Sequence, residues 1–184
     1  MVVDDHAAIR AGLRALLESE PDLEPVVMAG TCAEALDAAP AATPDVALLD
    51  YHLPDGDGIE LCRRLRAAAL PPEVIIYSAF ADGRLALPAA LVGARAVLDK
   101  AGTAERLFET VRAAAAGAAE LEPGPALLGQ AAEAVDLEDL PILGMLADRT
   151  PTEQIAQVLG ISRRDVEARA TAILERLKQR LPGR

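Results

Sequence analysis

The sequence predicts a doubly wound α/β domain built on a five-stranded parallel sheet, followed by a small all-α helix-turn-helix domain. Through residues 1–116, short aliphatic runs alternate with helical patterns, which requires crossover connections and therefore a parallel sheet covered on both faces. Residues 135–184 instead contain helical patterns joined by a tight turn. A chain of 184 residues accommodates one domain of about 120 residues and a small second one.

The predicted strands are short and aliphatic, as strands buried on both faces of a sheet require. They lie at 2–3, 26–28, 46–49, 74–77 and 96–98. The first is shorter than an ordinary strand of about five or six residues, so either the start of the chain is truncated or one edge of the sheet is weak. Apolar residues at three- and four-residue spacing predict a helix after each strand. These helices lie at 7–19, 32–39, 58–69, 83–92 and 103–116.

Residues 117–134 are rich in Ala, Gly, Pro and Glu, with Pro123-Gly124-Pro125 near their middle. This composition predicts a linker. The predicted boundaries are therefore 1–116 for the first domain and 135–184 for the second.

Helix start and stop signals define the second domain. Asp136 is a candidate cap for a first helix, and Thr150-Pro151-Thr152-Glu153 predicts a capping box that opens a second. Gly160 ends that helix, and Ser162 caps the next one, which runs from 163 to about 181. Two helices joined by a glycine-containing turn have the spacing of a helix-turn-helix.

Charge is unevenly distributed along the chain, whose net charge is -11. Residues 1–120 contain 10 basic and 19 acidic side chains, whereas 161–184 contain 7 basic and 3 acidic ones. Phosphate binding needs a local surplus of Lys and Arg. The chain as a whole therefore does not coat nucleic acid, and only its C-terminal end has the charge for a local contact.

Cysteine content and hydropathy indicate the cellular compartment. Cys32 and Cys62 are too few and too far apart for a metal knuckle or a disulfide framework. The apolar runs are broken by charge or proline before a bilayer could be spanned, and no signal segment is visible at the N-terminus. These features predict a cytoplasmic protein without membrane contact.

Polar residues end four of the predicted strands. Asp4 and Asp5 follow the first strand, Asp50 the third, Ser78 the fourth and Lys100 the fifth. The carboxyl ends of the strands form the ligand-binding edge of a doubly wound sheet, so we expect these side chains to converge. Three carboxylates repel one another without a cation, and Mg²⁺ is the usual cation when a phosphate is nearby.

Asp50 is the candidate nucleophile at this edge. A carboxylate beside Mg²⁺ can attack phosphorus and form an acyl phosphate, while a lysine and a hydroxyl hold the remaining oxygens. Lys100 is one of only two lysines in a chain that otherwise uses Arg, which favours a role for a compact point charge. The alternative is that the aspartates are ordinary helix caps and turn formers.

Four motifs resemble the receiver domain of two-component response regulators over residues 1–116. They are Val2-Val3-Asp4-Asp5-His6, Leu48-Leu49-Asp50-Tyr51-His52-Leu53-Pro54-Asp55-Gly56-Asp57-Gly58, Ser78-Ala79 and Leu98-Asp99-Lys100. The resemblance implies a flavodoxin-like fold in which a histidine kinase phosphorylates Asp50. It also implies that Asp5, Asp50 and the backbone carbonyl of His52 bind Mg²⁺, that Asp4 supports the ion through water, and that Ser78 and Lys100 contact the phosphoryl group.

The same resemblance implies that the protein is not an enzyme beyond a slow self-dephosphorylation, which His52 and Phe80 would tune. His6 and His52 flank the acidic cluster, but two imidazoles on separate loops are more often solvated than catalytic. The chain also has Val97 where the family usually carries an aromatic switch residue, and Ala101 where proline is common. These differences leave the predicted phosphoryl chemistry intact. They indicate that the route by which phosphorylation reaches the output surface is altered.

The second domain resembles the LuxR-type helix-turn-helix domain, through residues 154–169 and 173–177. The resemblance implies a major-groove recognition helix starting at Ser162, with Arg163, Arg164 and Arg169 as the candidate DNA contacts. Acidic residues stand where this family commonly has polar or basic ones, at Glu138, Asp165 and Glu167. The arginines are therefore equally consistent with a solvated face paired with these acids.

Three functions follow from these patterns. The leading hypothesis is a phosphorylation-dependent transcription regulator that binds double-stranded DNA as a homodimer. The alternative is an interaction protein whose degenerate helix-turn-helix does not bind DNA. A phosphatase is a weaker third hypothesis, because no general base beyond His6 and His52 is visible in the sequence.

Overall fold

The computed structural model describes residues 1–79, 83–118, 121, 125–148 and 150–179. The N-terminal part is a five-stranded parallel sheet with strand order β2-β1-β3-β6-β7. In chain order these strands are β1 (Val2–Val3), β2 (Met28–Ala29), β3 (Val46–Asp50), β6 (Glu73–Ser78) and β7 (Ala96–Asp99). The predicted sheet is confirmed. A short antiparallel ribbon of β4 (His52–Leu53) and β5 (Gly56–Asp57) was not predicted from the sequence.

Five helices connect and flank the strands of this sheet. They are α1 (Ala7–Glu18), α2 (Cys32–Ala42), α3 (Gly58–Arg66), α4 (Gly83–Leu91) and α5 (Ala104–Ala115). Side-chain caps fix the starts of three of them, since Thr31, Asp57 and Thr103 each accept a hydrogen bond from a backbone N–H three residues further on. The predicted alternation of strand and helix is thus observed throughout the N-terminal part.

The strand order places a topological switch between β1 and β3. The chain leaves β1 to form β2 on one side and then returns to form β3 on the other. The register aligns Val3 with Leu49, so Asp4 and Asp50 both lie just beyond the point where the two strands stop pairing. Ligands of doubly wound sheets bind at this point of the fold.

Two hydrophobic clusters cover the two faces of the sheet. Leu48 and Ile75 face the smaller cluster, with α1 and α5. Leu49 and Ile76 face the larger cluster, with α3 and α4. Successive residues of β3 and β6 alternate between the faces, as the pleat of a strand dictates.

The helix α4 is apolar from Leu85 onward, and Ala86 is the one residue described in that stretch that is partly exposed. After Arg84 it contains no charged residue, and Leu85 and residues 87–92 are all buried. A helix that is hydrophobic all round must be covered on its outer face as well as its inner one. The C-terminal helices provide that cover, because α4 contacts both α7 (Leu140–Ala147) and α9 (Arg163–Lys178).

The larger cluster therefore continues from the sheet into the C-terminal part. In the described residues, Leu87 and Leu91 of α4 belong to the same cluster as core residues of the C-terminal helices. Those core residues are Ala131, Ile142, Leu143, Ile155, Ala156, Val166, Ile173, Leu174 and Leu177. The C-terminal part is consequently docked on the outer surface of the sheet domain.

The C-terminal part differs from its sequence prediction in three details. Within the segment 117–134, predicted as a linker, residues Pro125–Ala132 form a helix, α6. Asp136 precedes a 3-10 turn, Leu137–Asp139, which leads into α7. The side chain of Asp136 makes no capping hydrogen bond. Pro151 is the N-cap of α8 (Thr152–Leu159) rather than its first residue, with ψ 140°, so the predicted capping box centred on Thr150 is wrong.

The predicted tight turn between the last two helices is present. Gly160 ends α8 with φ 66°, a left-handed conformation that favours glycine. Ser162 caps α9 by accepting a hydrogen bond from the N–H of Asp165. The helix α9 extends to Lys178, and the end predicted near 181 lies outside the described residues. No helix in the described ranges is long and apolar enough to span a membrane.

Candidate functional site

The polar residues at the ends of β1, β3, β6 and β7 lie together at one edge of the sheet. Asp4, Asp50 and Ser78 are almost completely buried there, with 1%, 4% and 1% of their surfaces exposed. Buried ionised carboxylates are unfavourable unless they are paired. Their burial therefore requires a compensating charge in direct contact.

Lys100 supplies that charge. Its Nζ lies 2.6 Å from Oδ2 of Asp4 and 2.8 Å from Oδ2 of Asp50. Burial disfavours the ammonium, but the hydrogen bonds to Asp4 and Asp50 outweigh it, and the pKa of Lys100 lies above its ordinary value. The lysine is held in position through its backbone N–H, which donates to the carbonyl of Ser78 at 3.0 Å.

The segment that follows β1 positions the carboxyl groups of Asp4 and Asp5. Oδ1 of Asp4 accepts a hydrogen bond from the N–H of His6 at 2.8 Å, and Arg10 donates to the carbonyl of Asp4. Nδ1 of His6 lies 2.5 Å from Oδ1 of Asp5, but this contact lacks hydrogen-bond geometry. Oδ1 of Asp5, which is buried, therefore has no hydrogen-bond partner among the described residues. An unsatisfied buried carboxylate oxygen is a candidate ligand for a cation.

The donor set fits a hard divalent cation. Asp4, Asp5, His6 and Asp50 each offer one ligand atom, and these atoms all lie within 4.8 Å of one another. Three of the four are carboxylates, the ligand type that Mg²⁺ prefers. The residues predicted to bind Mg²⁺ through their side chains are thus close enough to share one ion, and the surplus negative charge that Lys100 leaves uncompensated favours its binding.

The loop that follows Asp50 is held by two sets of hydrogen bonds. The N–H of His52 donates to Oδ1 of Asp50 at 3.3 Å. Asp55 accepts from the N–H groups of Cys32 and Ala33 at 2.8 and 3.0 Å, and so fastens the loop to the N-terminus of α2. These backbone hydrogen bonds hold the pKa of Asp55 below its ordinary value.

Gly58 is required where this loop returns to the end of β3. Its N–H donates to the carbonyl of Tyr51 at 2.9 Å. A Cβ at position 58 would lie 2.4 Å from the backbone oxygen of Asp50. Only glycine allows the start of α3 to approach the candidate nucleophile this closely.

The remaining predicted residues of this edge are less constrained by the site. Val97 is partly buried against the larger cluster, so the position of the family's aromatic residue is filled by a small side chain. Ala101 donates its backbone N–H to Asp99. Phe80, predicted to tune hydrolysis, lies outside the described residues.

Cys32 and Cys62 are free and buried, and burial raises the pKa of each thiol to about 12.

The three arginines predicted to contact DNA lie on α9 and differ in their surroundings. Arg163 and Arg164 are exposed at the start of the helix. Arg169 is partly buried, and its guanidinium donates to Oδ1 of Asp139 and to the carbonyl of Glu138, both at 2.6 Å. In this arrangement Arg169 holds α9 against the turn that precedes α7.

Sequence reasoning missed two features of the molecule. Asp55 caps a helix that begins 23 residues earlier, and no local pattern marks such a contact. The docking of the C-terminal helices was also missed, although the uninterrupted apolar sequence of α4 was a visible signal for it.

Comparisons with known proteins show which family the chain and its fold resemble. Residues 1–112 match the family model described as the response regulator receiver domain. The chain is 33% identical over 187 residues to the DNA-binding transcriptional activator DevR/DosR of Mycobacterium tuberculosis, covering 96% of this chain and 86% of that protein. A LuxR-family two-component response regulator from Aurantimonas sp. SI85-9A1 superimposes with a TM-score of 0.61 at 31% identity, over 72% of this chain and 94% of that one.

The likeness extends to a solved structure that spans both parts of the chain. The response regulator ChrA of a heme-sensing two-component system superimposes with a TM-score of 0.54 at 26% identity. That superposition covers 97% of this chain and 95% of ChrA. The resemblance stated from the sequence is therefore confirmed, and the matched range of 1–112 lies within the predicted first domain.

The close approach at Gly58 predicts a stability difference between two glycine substitutions. Gly58→Ala should lower the free energy of unfolding by about 1–3 kcal/mol, because the new Cβ must displace backbone at the end of β3. Gly12→Ala is the matched control, since a Cβ at this exposed position in α1 meets nothing within 4 Å and should stabilise the helix by about 0.5–1 kcal/mol. Urea denaturation of both variants measures the difference, and equal stabilities would contradict the assignment.

Proposed function

The chain belongs to the response regulators of two-component systems, and from this premise we propose that a histidine kinase phosphorylates it on Asp50. The observation that supports this proposal is the contact of Lys100 with both Asp4 and Asp50. This contact places a nearly buried carboxylate and an ammonium group at the switch point of the sheet. We propose a cytoplasmic location on the basis of the two unpaired cysteines.

The phosphoryl transfer follows from the positions of these groups. A carboxylate oxygen of Asp50 attacks the phosphorus of a phosphohistidine, the phosphorus–nitrogen bond breaks, and the imidazole of the kinase leaves. Lys100 and the hydroxyl of Ser78 bind the oxygens of the transferred group, whose charge exceeds that of the original carboxylate. When bound by Asp5, Asp50 and the carbonyl of His52, with Asp4 acting through water, Mg²⁺ supplies further positive charge at the phosphoryl oxygens.

The fate of the phosphoryl group depends on water reaching Asp50. The imidazole of His6 lies with Asp4 and Asp5 at this edge, and His52 contacts Asp50 through its backbone N–H, so neither contact assigns a general base to the attacking water. We therefore propose only a slow self-dephosphorylation, with His52 as the neighbouring side chain that tunes it. This chemistry is that of a phosphoryl acceptor rather than of a phosphatase.

The docked C-terminal helices provide an output route. Ser78 ends β6, and α4 begins at Gly83. Because α4 contacts α7 and α9, a shift of Ser78 toward a phosphoryl group would be passed to the C-terminal helices through α4. This route does not need an aromatic residue at position 97, and release of α9 is its proposed outcome.

We further propose that the released domain binds double-stranded DNA, as a homodimer whose two recognition helices contact paired half-sites. Support comes from the glycine turn between α8 and α9 and from the exposure of Arg163 and Arg164. The relative DevR/DosR is named a DNA-binding transcriptional activator. The boundaries that we propose are 1–116 for the receiver, 117–134 for the connection and 135–184 for the DNA-binding domain.

A protein-interaction role remains the second candidate, because a specific observation favours it. Arg163, Arg169 and Arg176 each form an ion pair with a carboxylate of the same domain. Residues 135–184 contain as many acidic as basic side chains, eight of each. Such a surface attracts DNA phosphates less than a basic one does.

If Asp50 is the phosphorylated residue, the mass of the intact chain should increase after treatment with acetyl phosphate and Mg²⁺. The parent chain should gain one phosphoryl adduct in intact mass spectrometry, and Asp50→Asn should gain none. Asp99→Asn is the matched control, because Asp99 is an exposed carboxylate at the same edge of the sheet and should retain the adduct. An unmodified parent chain, or an adduct that persists in Asp50→Asn, would refute the assignment.

DNA binding predicts a salt-dependent signal that separates the two candidate functions. Phosphorylated chain should bind a labelled duplex of random sequence in fluorescence anisotropy, with an affinity that falls as salt rises. Arg164→Ala should reduce the slope of log affinity against log salt by about 1. A chain that takes up phosphate but gives no salt-sensitive binding would support the protein-interaction role instead.

A further inference from the structure

We propose that Arg163 reads a guanine in the DNA site and that Glu167 is the positioning residue that aims it. This inference rests on the proposed DNA binding and adds the base that the domain selects. It starts from the position of Arg163 as the first residue of α9. In helix-turn-helix proteins the N-terminal residues of the second helix are the ones that contact base edges in the major groove.

In the described part of the chain, the contacts of Arg163 engage its Nε closely and its terminal nitrogens only through one long contact. Its Nε donates to Oε1 of Glu167 at 2.8 Å, one helical turn further on. Its Nη1 lies 3.5 Å from Oε2 of Glu153 on α8, a distance typical of a weak contact. With Nε fixed, the two terminal nitrogens form a fork of the kind that binds O6 and N7 of guanine together.

Glu167 restricts the motion of an otherwise flexible side chain. The side chain of Arg163 is 59% exposed, so packing does not select its rotamer. An exposed pair of this kind adds little to stability, but it reduces the conformational entropy that Arg163 loses when it meets a base. The acid at position 167, which weakens attraction to phosphates, thus acquires a function in selecting sequence.

The other arginines described on α9 are less suited to read a base. Arg169 is held by Asp139 and Glu138, and Arg176 pairs with Asp136 at 2.7 Å near the opposite end of the helix. Arg164 is exposed, and no ion pair is described for it. We therefore assign Arg164 to phosphate contact, which adds affinity without sequence preference.

The balanced charge of the domain agrees with this division of roles. Equal numbers of acidic and basic side chains in 135–184 keep sequence-independent attraction low. Discrimination then depends on hydrogen bonds to bases, for which the paired Arg163 and Glu167 are suited.

The test is selection from a pool of duplexes with a randomised central segment, sequenced after binding to the full chain. Because we propose that phosphorylation releases α9, the selection uses both untreated chain and chain treated with acetyl phosphate and Mg²⁺. The variants are Arg163→Lys, which keeps the charge and loses the fork, Glu167→Ala, and Glu167→Gln, which keeps an acceptor for Nε. Arg164→Ala is the control.

The parent chain should enrich a G·C pair at one position by roughly 5- to 150-fold over other pairs. Arg163→Lys and Glu167→Ala should lose that preference, Glu167→Gln should restore part of it, and Arg164→Ala should keep it while binding all sequences more weakly. Enrichment that Arg163→Lys and Glu167→Ala leave unchanged would overturn the inference alone. Recovery of DNA without any sequence preference would likewise overturn the inference alone, whereas recovery of no duplex in either state would overturn the proposed DNA binding together with it.

Discussion

The bridge that Lys100 makes between Asp4 and Asp50 is the interaction on which the rest of the structure depends. It joins the ends of β1, β3 and β7 through two contacts of 2.6 and 2.8 Å, and it permits two carboxylates to be buried at the edge of an aliphatic sheet. Removing one partner of a buried ion pair leaves an uncompensated charge, which is strongly unfavourable. The same arrangement suits phosphoryl transfer, because Lys100 offsets part of the negative charge and Mg²⁺ would offset more of it when the phosphoryl group is added.

The second constraint is the burial of α4 between the sheet and the C-terminal helices. An all-apolar helix cannot be left facing water on its outer side without a large loss of hydrophobic stabilisation, so the sheet domain and the C-terminal helices share one cluster. This packing connects the edge of the sheet that contains Ser78 with the helices α7 and α9. In the output route that we propose, a change in how α4 packs would connect Asp50 with α7 and α9.

The sequence predicts well what depends on local patterns and on the topology that those patterns imply. The carboxyl ends of parallel strands meet at one edge of a sheet, so the sequence alone predicts that Asp4, Asp50 and Lys100 lie together. Their contacts and the unsatisfied oxygen of Asp5 could not, because side-chain geometry is set by packing. The helix Pro125–Ala132 was hidden by glycine and proline that usually mark a linker, and the contact of Asp55 with α2 joins segments that are distant in sequence.

The most direct test of the charge balance is the thermal stability of Lys100→Met and of the parent chain at pH 7, with and without Mg²⁺. Without Mg²⁺ the variant should be markedly less stable, because the buried carboxylates of Asp4 and Asp50 lose their counter-charge. The deficit should shrink when Mg²⁺ is added, because the cation supplies positive charge to the same carboxylates. A deficit that Mg²⁺ leaves unchanged would contradict the account.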